Sequence, residues 1–319
     1  MKLAVIIPAY KVKEQILSVL KSIPTSVSKI YLIDDACPEQ SGKFAEANCQ
    51  DPRLKVIYHD QNKGVGGAVI SGYQAALADG CEILIKIDGD GQMDCAKIPE
   101  LITPLVNAEA DYTKGNRFYD LETLSSMPKI RLIGNAALSL MAKLSTGYWD
   151  LFDPTNGYTA ITAQVARQIP WHKVSPRYFF ETDLLFRLSI VRAVVRDIPM
   201  PAIYAGEVSN LKVSQIIGEF LFKHVRNFLK RLFYNYYLRD MSLASLELPI
   251  GLLLIIAGGS FGAYHWLRSI SDGIVTSAGT VMLAALPVLA GIQLVLAFLN
   301  YDISNVPRHP KSRLGLSKN

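Results

Sequence analysis

A chain of 319 residues, 50% hydrophobic and only 19% charged, can hold one large domain and an appendage, but is short for two full soluble domains. The mean hydropathy of +0.20 leans toward a protein partly embedded in lipid. A net charge of +5 gathered beside the apolar C-terminal region argues against nucleic-acid binding, and Cys37, Cys49, Cys81 and Cys95, with no CxxC pair, exclude a disulfide scaffold or thiolate metal site.

From residue 1 to about 105, short apolar runs alternate with segments of helical spacing. Runs 3–7, 30–33, 55–58 and 83–87 are expected strands, and 13–23 and 66–77 expected helices. That alternation predicts an α/β fold with a Rossmann-like, mostly parallel sheet. The strands end in Pro8-Ala9-Tyr10, Asp34-Asp35, Asn62-Lys63-Gly64 and Asp88-Gly89-Asp90. Ligands of open α/β sheets bind at such carboxyl ends.

The strongest local signal is Ile83-Leu84-Ile85-Lys86-Ile87-Asp88-Gly89-Asp90-Gly91-Gln92, a buried-type strand running into two carboxylates. In extended geometry Asp88 and Asp90 share one side. Their hard oxygens suit Mg²⁺ or Mn²⁺ bridging to a substrate diphosphate, with the Gln92 amide oxygen as a further ligand; the alternative is an acidic pair in a solvated turn. Gly64, Gly66 and Gly67 open the second expected helix and would let backbone approach a phosphate, with Lys63 as a contact; the plainer reading is a helix entry. Asp34 and Asp35 offer oxygens to ribose hydroxyls, or cap a turn.

The middle of the chain, 110–201, is of mixed pattern, and 212–239 is expected to be an amphipathic helix of Phe, Leu and Tyr interleaved with Lys and Arg, suited to a membrane interface. Segments 246–267 and 274–299 are long and apolar enough to span a hydrocarbon core, joined by a hairpin at 268–273. Basic residues precede the first span (Lys223, Arg226, Lys230, Arg231, Arg239) and follow the second (Arg308, Lys311, Arg313, Lys318), whereas the hairpin holds only Arg268. The positive-inside rule then puts both flanks in the cytoplasm. The expected organisation is a catalytic domain at 1–210, juxtamembrane helices at 211–245, two transmembrane helices at 246–302 and a basic tail at 303–319.

Several motifs occur in a telling order: Val5-Ile6-Ile7-Pro8-Ala9-Tyr10, Tyr31-Leu32-Ile33-Asp34-Asp35, Asn62-Lys63-Gly64-Val65-Gly66-Gly67, the Asp88/Asp90/Gln92 cluster, and Asp153-Pro154-Thr155-Asn156-Gly157-Tyr158. Over residues 1 to about 240 the chain resembles family 2 glycosyltransferases of the GT-A fold, above all the polyprenyl-phosphate glycosyltransferases typified by dolichol-phosphate mannose synthase. The resemblance implies a nucleotide pocket lined by Pro8, Ala9, Tyr10 and Asp35, with Lys63, Gly64, Asp88 and Gly89 close by, and a metal held by Asp88, Asp90 and Gln92. It implies phosphate-binding cations at Arg117 and Arg131, and an acid facing the reacting centre at Asp153; Glu181 and Asp183 resemble residues that open a helix nearby.

The resemblance implies inverting transfer of a hexose from a UDP- or GDP-linked donor to a polyprenyl phosphate. A homo-oligomer is left open. Two departures from the family stand out: Lys11-Val12 replaces the usual Asn-Glu, and Tyr204-Ala205-Gly206-Glu207-Val208-Ser209 lacks an arginine, which shifts acceptor binding to Arg117, Arg131, Lys212 or the juxtamembrane cations. His59, His172, His224, His265 and His309 show no convincing partner in the sequence. The competing functions are a processive polysaccharide synthase, disfavoured by the missing Gln-x-x-Arg-Trp motif and by too few spans, and a noncatalytic nucleotide-sugar-binding subunit, disfavoured by the intact Asp88 and Asp90.

Overall fold

Apolar runs become strands where the pattern places them. In the computed structural model, which describes residues 1–119, 129–200 and 213–312, these are β1 (Leu3–Ala9), β2 (Lys29–Asp34), β3 (Leu54–Tyr58) and β4 (Ile83–Lys86). Three further strands, β5 (Tyr112–Asn116), β6 (Thr159–Thr162) and β7 (Val195–Pro199), complete a seven-stranded sheet in the order β3-β2-β1-β4-β6-β5-β7. All pairings are parallel except those of β6, which runs antiparallel to both β4 and β5. Val5, Ile6 and Ile7 are all fully buried, as a parallel strand covered on both faces requires.

Helices α1 (Ile16–Ser22), α2 (Ser41–Asn48), α3 (Val65–Ala78) and α4 (Ile98–Val106) make the crossovers, followed by α5 (Lys129–Thr146) and α6 (Phe180–Ile190). The chain passes from β1 to β2 and β3 on one side, then returns to place β4 on the other. The crevice at the β1 and β4 carboxyl ends is therefore the switch point at which open α/β sheets bind ligands.

Helix α7 (Val213–Phe233) continues into a π-helical turn, Tyr234–Arg239, within the expected amphipathic segment. Its amphipathicity is turned outward: Leu221, Val225, Leu229 and Phe233, spaced four apart, are exposed, while His224, Asn227 and Arg231 are buried. An ordinary surface helix shows the reverse pattern.

Two long apolar helices, α8 (Ala244–Asp272) and α9 (Ala278–Ser304), pack against each other, and only 11% of the most apolar window of each is buried. They extend beyond the expected spans, and the turn falls at 273–277 instead of 268–273. Their closest approach is reciprocal: a Cβ on Gly251 would lie 2.9 Å from the Gly291 carbonyl oxygen, and one on Gly291 2.6 Å from that of Gly251. Lipid-embedded helix pairs use small residues in this way. A Cβ on Gly259, by contrast, would meet nothing within 4 Å.

The chain divides into two compact units, Leu229–Val306 and the remainder, so the segment from Pro307 belongs with Met1–Phe228. Backbone N–H groups of Lys311 and Ser312 donate to the Asp111 carboxylate just before β5 at 2.7–3.0 Å. Arg313, Lys318, Lys212 and the Tyr204 to Ser209 stretch lie outside the described residues.

Candidate active site

Pro8 and Ala9 end β1 and Tyr10 follows it, with Ala9 paired to Asp34 on β2. Ala9 is buried and Tyr10 exposed, so Tyr10 offers the free surface at this end of the crevice. The Lys11-Val12 departure has a structural reading. Lys11 takes a left-handed conformation (φ 57°) with its N–H on Cys37 Sγ at 3.1 Å, and a Cβ on Gly89 would meet Val12 at 3.1 Å. Val12 thus packs against the turn that carries Asp88 and Asp90.

Asp34 and Asp35 act first as clamps. Asp34 accepts the Cys37 and Gly42 N–H groups, both at 2.7 Å, tying the end of β2 to α2. Asp35 accepts the N–H groups of Lys63 and Gly64, both at 2.8 Å, and meets His59 Nδ1 at 2.7 Å; the other ring nitrogen of His59 lies 2.8 Å from Ser71 Oγ. His59 therefore has two partners, contrary to the sequence-based expectation, because β3 brings it beside the end of β2. His224 is likewise partnered, by Ser145 Oγ at 2.9 Å, and burial lowers its pKa to about 4.

The glycines at the start of α3 also turn inward. Cβ atoms on Gly64 and Gly66 would collide with Pro176 and Phe180, and the Gly67 N–H donates to the Pro176 carbonyl at 2.9 Å. The close approach these glycines permit is to the chain's own Pro176 and Phe180, at the entry to α6.

β4 ends at Lys86, and Asp88-Gly89-Asp90 forms a turn in place of extended strand. Asp90 Oδ1 accepts the Gln92 N–H at 3.0 Å. Asp88 Oδ1 is buried and lies 2.9 Å from Lys86 Nζ, its ion-pair partner. Among the described residues no three His, Cys, Asp or Glu side chains converge as a self-sufficient metal cage. The two carboxylates and the Gln92 amide oxygen are hard donors of the kind that would suit a divalent cation, with the Lys86 ammonium already paired to Asp88.

Lys86 itself is 1% exposed and lies between Asp88 and Glu181 Oε1, the latter 3.2 Å away in the first turn of α6. Burial alone would lower its pKa, but the two carboxylates outweigh that and hold it above the ordinary lysine value. Asp183 is structural: it accepts from Ser175 N–H at 2.8 Å and Asn227 Nδ2 at 3.0 Å.

On the far side of β6, Arg117 follows β5 and donates through Nε and Nη2 to Asp153 at 2.8 and 3.2 Å. Asp153 is 0% exposed and Arg117 40%. The carboxylate thus orients the guanidinium. Burial would raise the Asp153 pKa, but the Arg117 hydrogen bonds and Lys114 hold it below the usual carboxylate range. The fully buried Lys114 donates to the carbonyls of Asp153 (2.5 Å) and Asn156 (2.9 Å), and burial lowers its pKa to about 8. Asp197, opposite Lys114 on β7, accepts the Phe152 N–H at 2.7 Å and is raised by burial to about 6. Arg131 lies in the first turn of α5 by its backbone; its side chain is outside the described set.

Phe118 and Phe152, each adjacent to a member of the Arg117–Asp153 pair, meet edge to face at 5.9 Å and line an apolar cavity of about 290 Å³ with Leu132, Ala136 and Leu140 of α5. The sequence reading missed Lys86, Lys114, Asp197 and this cavity. A lysine at the end of an otherwise apolar strand was the available signal for Lys86, since an unpaired ammonium is rarely buried.

The fold is that of an open, mostly parallel α/β sheet with polar turns at its switch point, where such sheets bind ligands. Residues 4–169 match the model of glycosyl transferase family 2, and the chain belongs to that family. It is a glycosyltransferase of the GT-A fold. It is 28% identical over 224 residues to the undecaprenyl-phosphate mannosyltransferase of Micrococcus luteus, covering 69% of this chain and 90% of that one. It is 26% identical to the UDP-N-acetylglucosamine–dolichyl-phosphate N-acetylglucosaminyltransferase of Methanococcus voltae, covering 62% and 84%. Glucosyl-3-phosphoglycerate synthase from Mycobacterium tuberculosis, solved with Mn²⁺, UDP and glucosyl-3-phosphoglycerate, superposes with a TM-score of 0.52 at 18% identity, covering 72% of this chain and 79% of that one.

Proposed function

We propose that this glycosyltransferase moves a hexose from a UDP- or GDP-linked donor to a polyprenyl phosphate at the cytoplasmic face of a membrane, with inversion at the anomeric carbon. The observation that carries the reading is the Arg117 guanidinium, fixed by Asp153 at 2.8 Å, beside an apolar cavity of about 290 Å³. A fork of N–H donors next to an apolar cavity suits a phosphate with a hydrocarbon tail. The relatives that act on undecaprenyl and dolichyl phosphates support it.

The anchoring reading rests on α8 and α9, each about 40 Å long at 1.5 Å per residue. The outward apolar stripe of α7, flanked by exposed Arg226 and Lys230, suits an anionic lipid interface. Because the chain leaves one compact unit before the helix pair and rejoins it at Pro307, two spans return both flanks to the same side. The concentration of cations on those flanks makes that side cytoplasmic. Arg231, expected among the lipid-facing cations, is buried on Asp302 and takes no part.

In the reaction, a phosphate oxygen of the acceptor forms the new bond to the anomeric carbon as the donor's bond to its diphosphate breaks. A phosphate monoester with a second pKa near 6 is mostly dianionic at neutral pH, so little general-base assistance is required. Arg117 would orient this nucleophile, and Tyr10 would cover the donor base at the end of β1. Mg²⁺ or Mn²⁺ held by Asp88, Asp90 and Gln92 would offset charge on the departing diphosphate.

The test supplies radiolabelled UDP- and GDP-hexoses with polyprenyl phosphate, free polyprenol or a soluble sugar, followed by organic extraction. Label is expected in the organic phase only with the phosphorylated lipid. Equal transfer to polyprenol or to the soluble sugar refutes the proposal.

A further inference from the structure

The carboxylates at the β4 turn do not stand alone, because a lysine has been built into their midst. Lys86 Nζ lies 2.9 Å from Asp88 Oδ1 and 3.2 Å from Glu181 Oε1, and its side chain is 1% exposed. A Cβ on Gly157 would collide with Lys86 Nζ and approach Asp88 Oδ2 to 2.8 Å, so the loop after Asp153 closes over the pair only because residue 157 is glycine. Three separate segments, the β4 turn, the Gly157 loop and the first turn of α6, converge on one ammonium group.

A resident cation changes what these carboxylates can hold. A divalent ion approaching Asp88 meets a fixed positive charge already occupying that carboxylate's field, and no third acidic side chain among the described residues completes a cage for it. Like charges a few ångströms apart in a partly buried site repel strongly, because little water intervenes to screen them. A nucleoside diphosphate brings several negative charges and hard oxygen ligands, which offset that repulsion.

We propose that Lys86 is a specificity-determining residue that makes divalent-cation binding at Asp88 and Asp90 conditional on the nucleotide: the cation binds together with a diphosphate and poorly without one. The inference rests on the reading of these carboxylates as the metal site. Lys86 supplies the charge, Gly157 the lid that keeps it in place, and Glu181 shares it with Asp88. Removing the ammonium should open the site to the bare cation. Neutralising Glu181 should concentrate the ammonium's charge on Asp88 and do the opposite.

The experiment is Mn²⁺ binding to the full-length protein in detergent, read by the electron-spin-resonance signal of free Mn²⁺. Binding is counted at the site only where Asp90→Asn removes it, and the arms are Mn²⁺ alone, Mn²⁺ with UDP and Mn²⁺ with GDP. In the wild type, one nucleotide should tighten Mn²⁺ binding at least tenfold. Lys86→Met should bind Mn²⁺ alone at least tenfold more tightly than wild type and lose most of the nucleotide dependence, whereas Lys86→Arg should keep the wild-type pattern. Glu181→Gln, which preserves the hydrogen bond to Lys86, should weaken Mn²⁺ binding, so a folding failure of Lys86→Met still leaves a test of opposite sign. Unchanged Mn²⁺ affinity in Lys86→Met, or in Glu181→Gln, overturns the inference while leaving the metal reading intact. No Asp90-dependent Mn²⁺ binding in any arm overturns both.

Discussion

Replacing Asp302 by Asn tests how the helical unit is held together. Arg231 donates Nη1 and Nη2 to the two Asp302 oxygens at 2.6 and 2.9 Å, and Tyr236 OH donates to Oδ1 at 2.5 Å. Both side chains of the ion pair are nearly inaccessible, at 2% and 3% exposed. Asparagine keeps one acceptor but turns an NH₂ group toward a guanidinium nitrogen and leaves a buried positive charge uncompensated. Breaking a buried pair from one side costs about 3–5 kcal/mol, which for a chain of this size lowers the unfolding temperature by on the order of 10 °C. The Arg117–Asp153 pair provides the contrast. Arg117 is 40% exposed and can rehydrate, so Asp153→Asn should cost only about 1–3 kcal/mol. The assay is thermal unfolding in detergent, with the double variant Arg231→Met/Asp302→Leu as control; removing both charges should recover most of the loss. A cost below about 1 kcal/mol for Asp302→Asn, or a double variant as unstable as the single one, refutes the reasoning.

Asp90→Asn should reduce turnover by about 10² or more with little change in unfolding temperature, and undiminished activity in excess chelator would contradict the metal reading. Burial raises the Asp197 pKa from 3.8 to about 6, so between those values the folded chain keeps a proton that the unfolded chain has lost, and stability falls as pH rises through that window. Asp197→Asn, whose amide oxygen can still accept the Phe152 N–H, removes this dependence: its stability relative to wild type should climb by up to about 3 kcal/mol from pH 4 to 6 and stay level above, and a pH-independent difference in denaturant titrations would rule this out. Gly291→Ala places a Cβ 2.6 Å from the Gly251 carbonyl oxygen and should cost about 1–3 kcal/mol in thermal unfolding. Gly259→Ala, with no neighbour within 4 Å, should cost nothing; equal effects at the two positions would mean that the helices do not pack through Gly251 and Gly291.

Local pattern was enough for the first four strands, for the polar turns at their carboxyl ends and for the two long apolar helices, because burial on both faces and a length sufficient for lipid each leave a contiguous mark in the chain. The order of the motifs was enough for the family. What the sequence left open depends on residues far apart in the chain. Strand β6 enters between β4 and β5 in the antiparallel sense, and only that insertion carries the Asp153 loop from Lys114 on one side to Lys86 on the other. His59 acquires Asp35 because β3 lies beside β2, and Arg231 acquires Asp302 because the chain returns after a helix pair. The glycines at 64, 66 and 67 marked a close approach, but only the packing decided that the approaching group is the chain's own Pro176 and Phe180. A charged or glycine residue in a sequence declares that something must meet it; which group does so is fixed by non-local pairing, and that information resides in the tertiary structure.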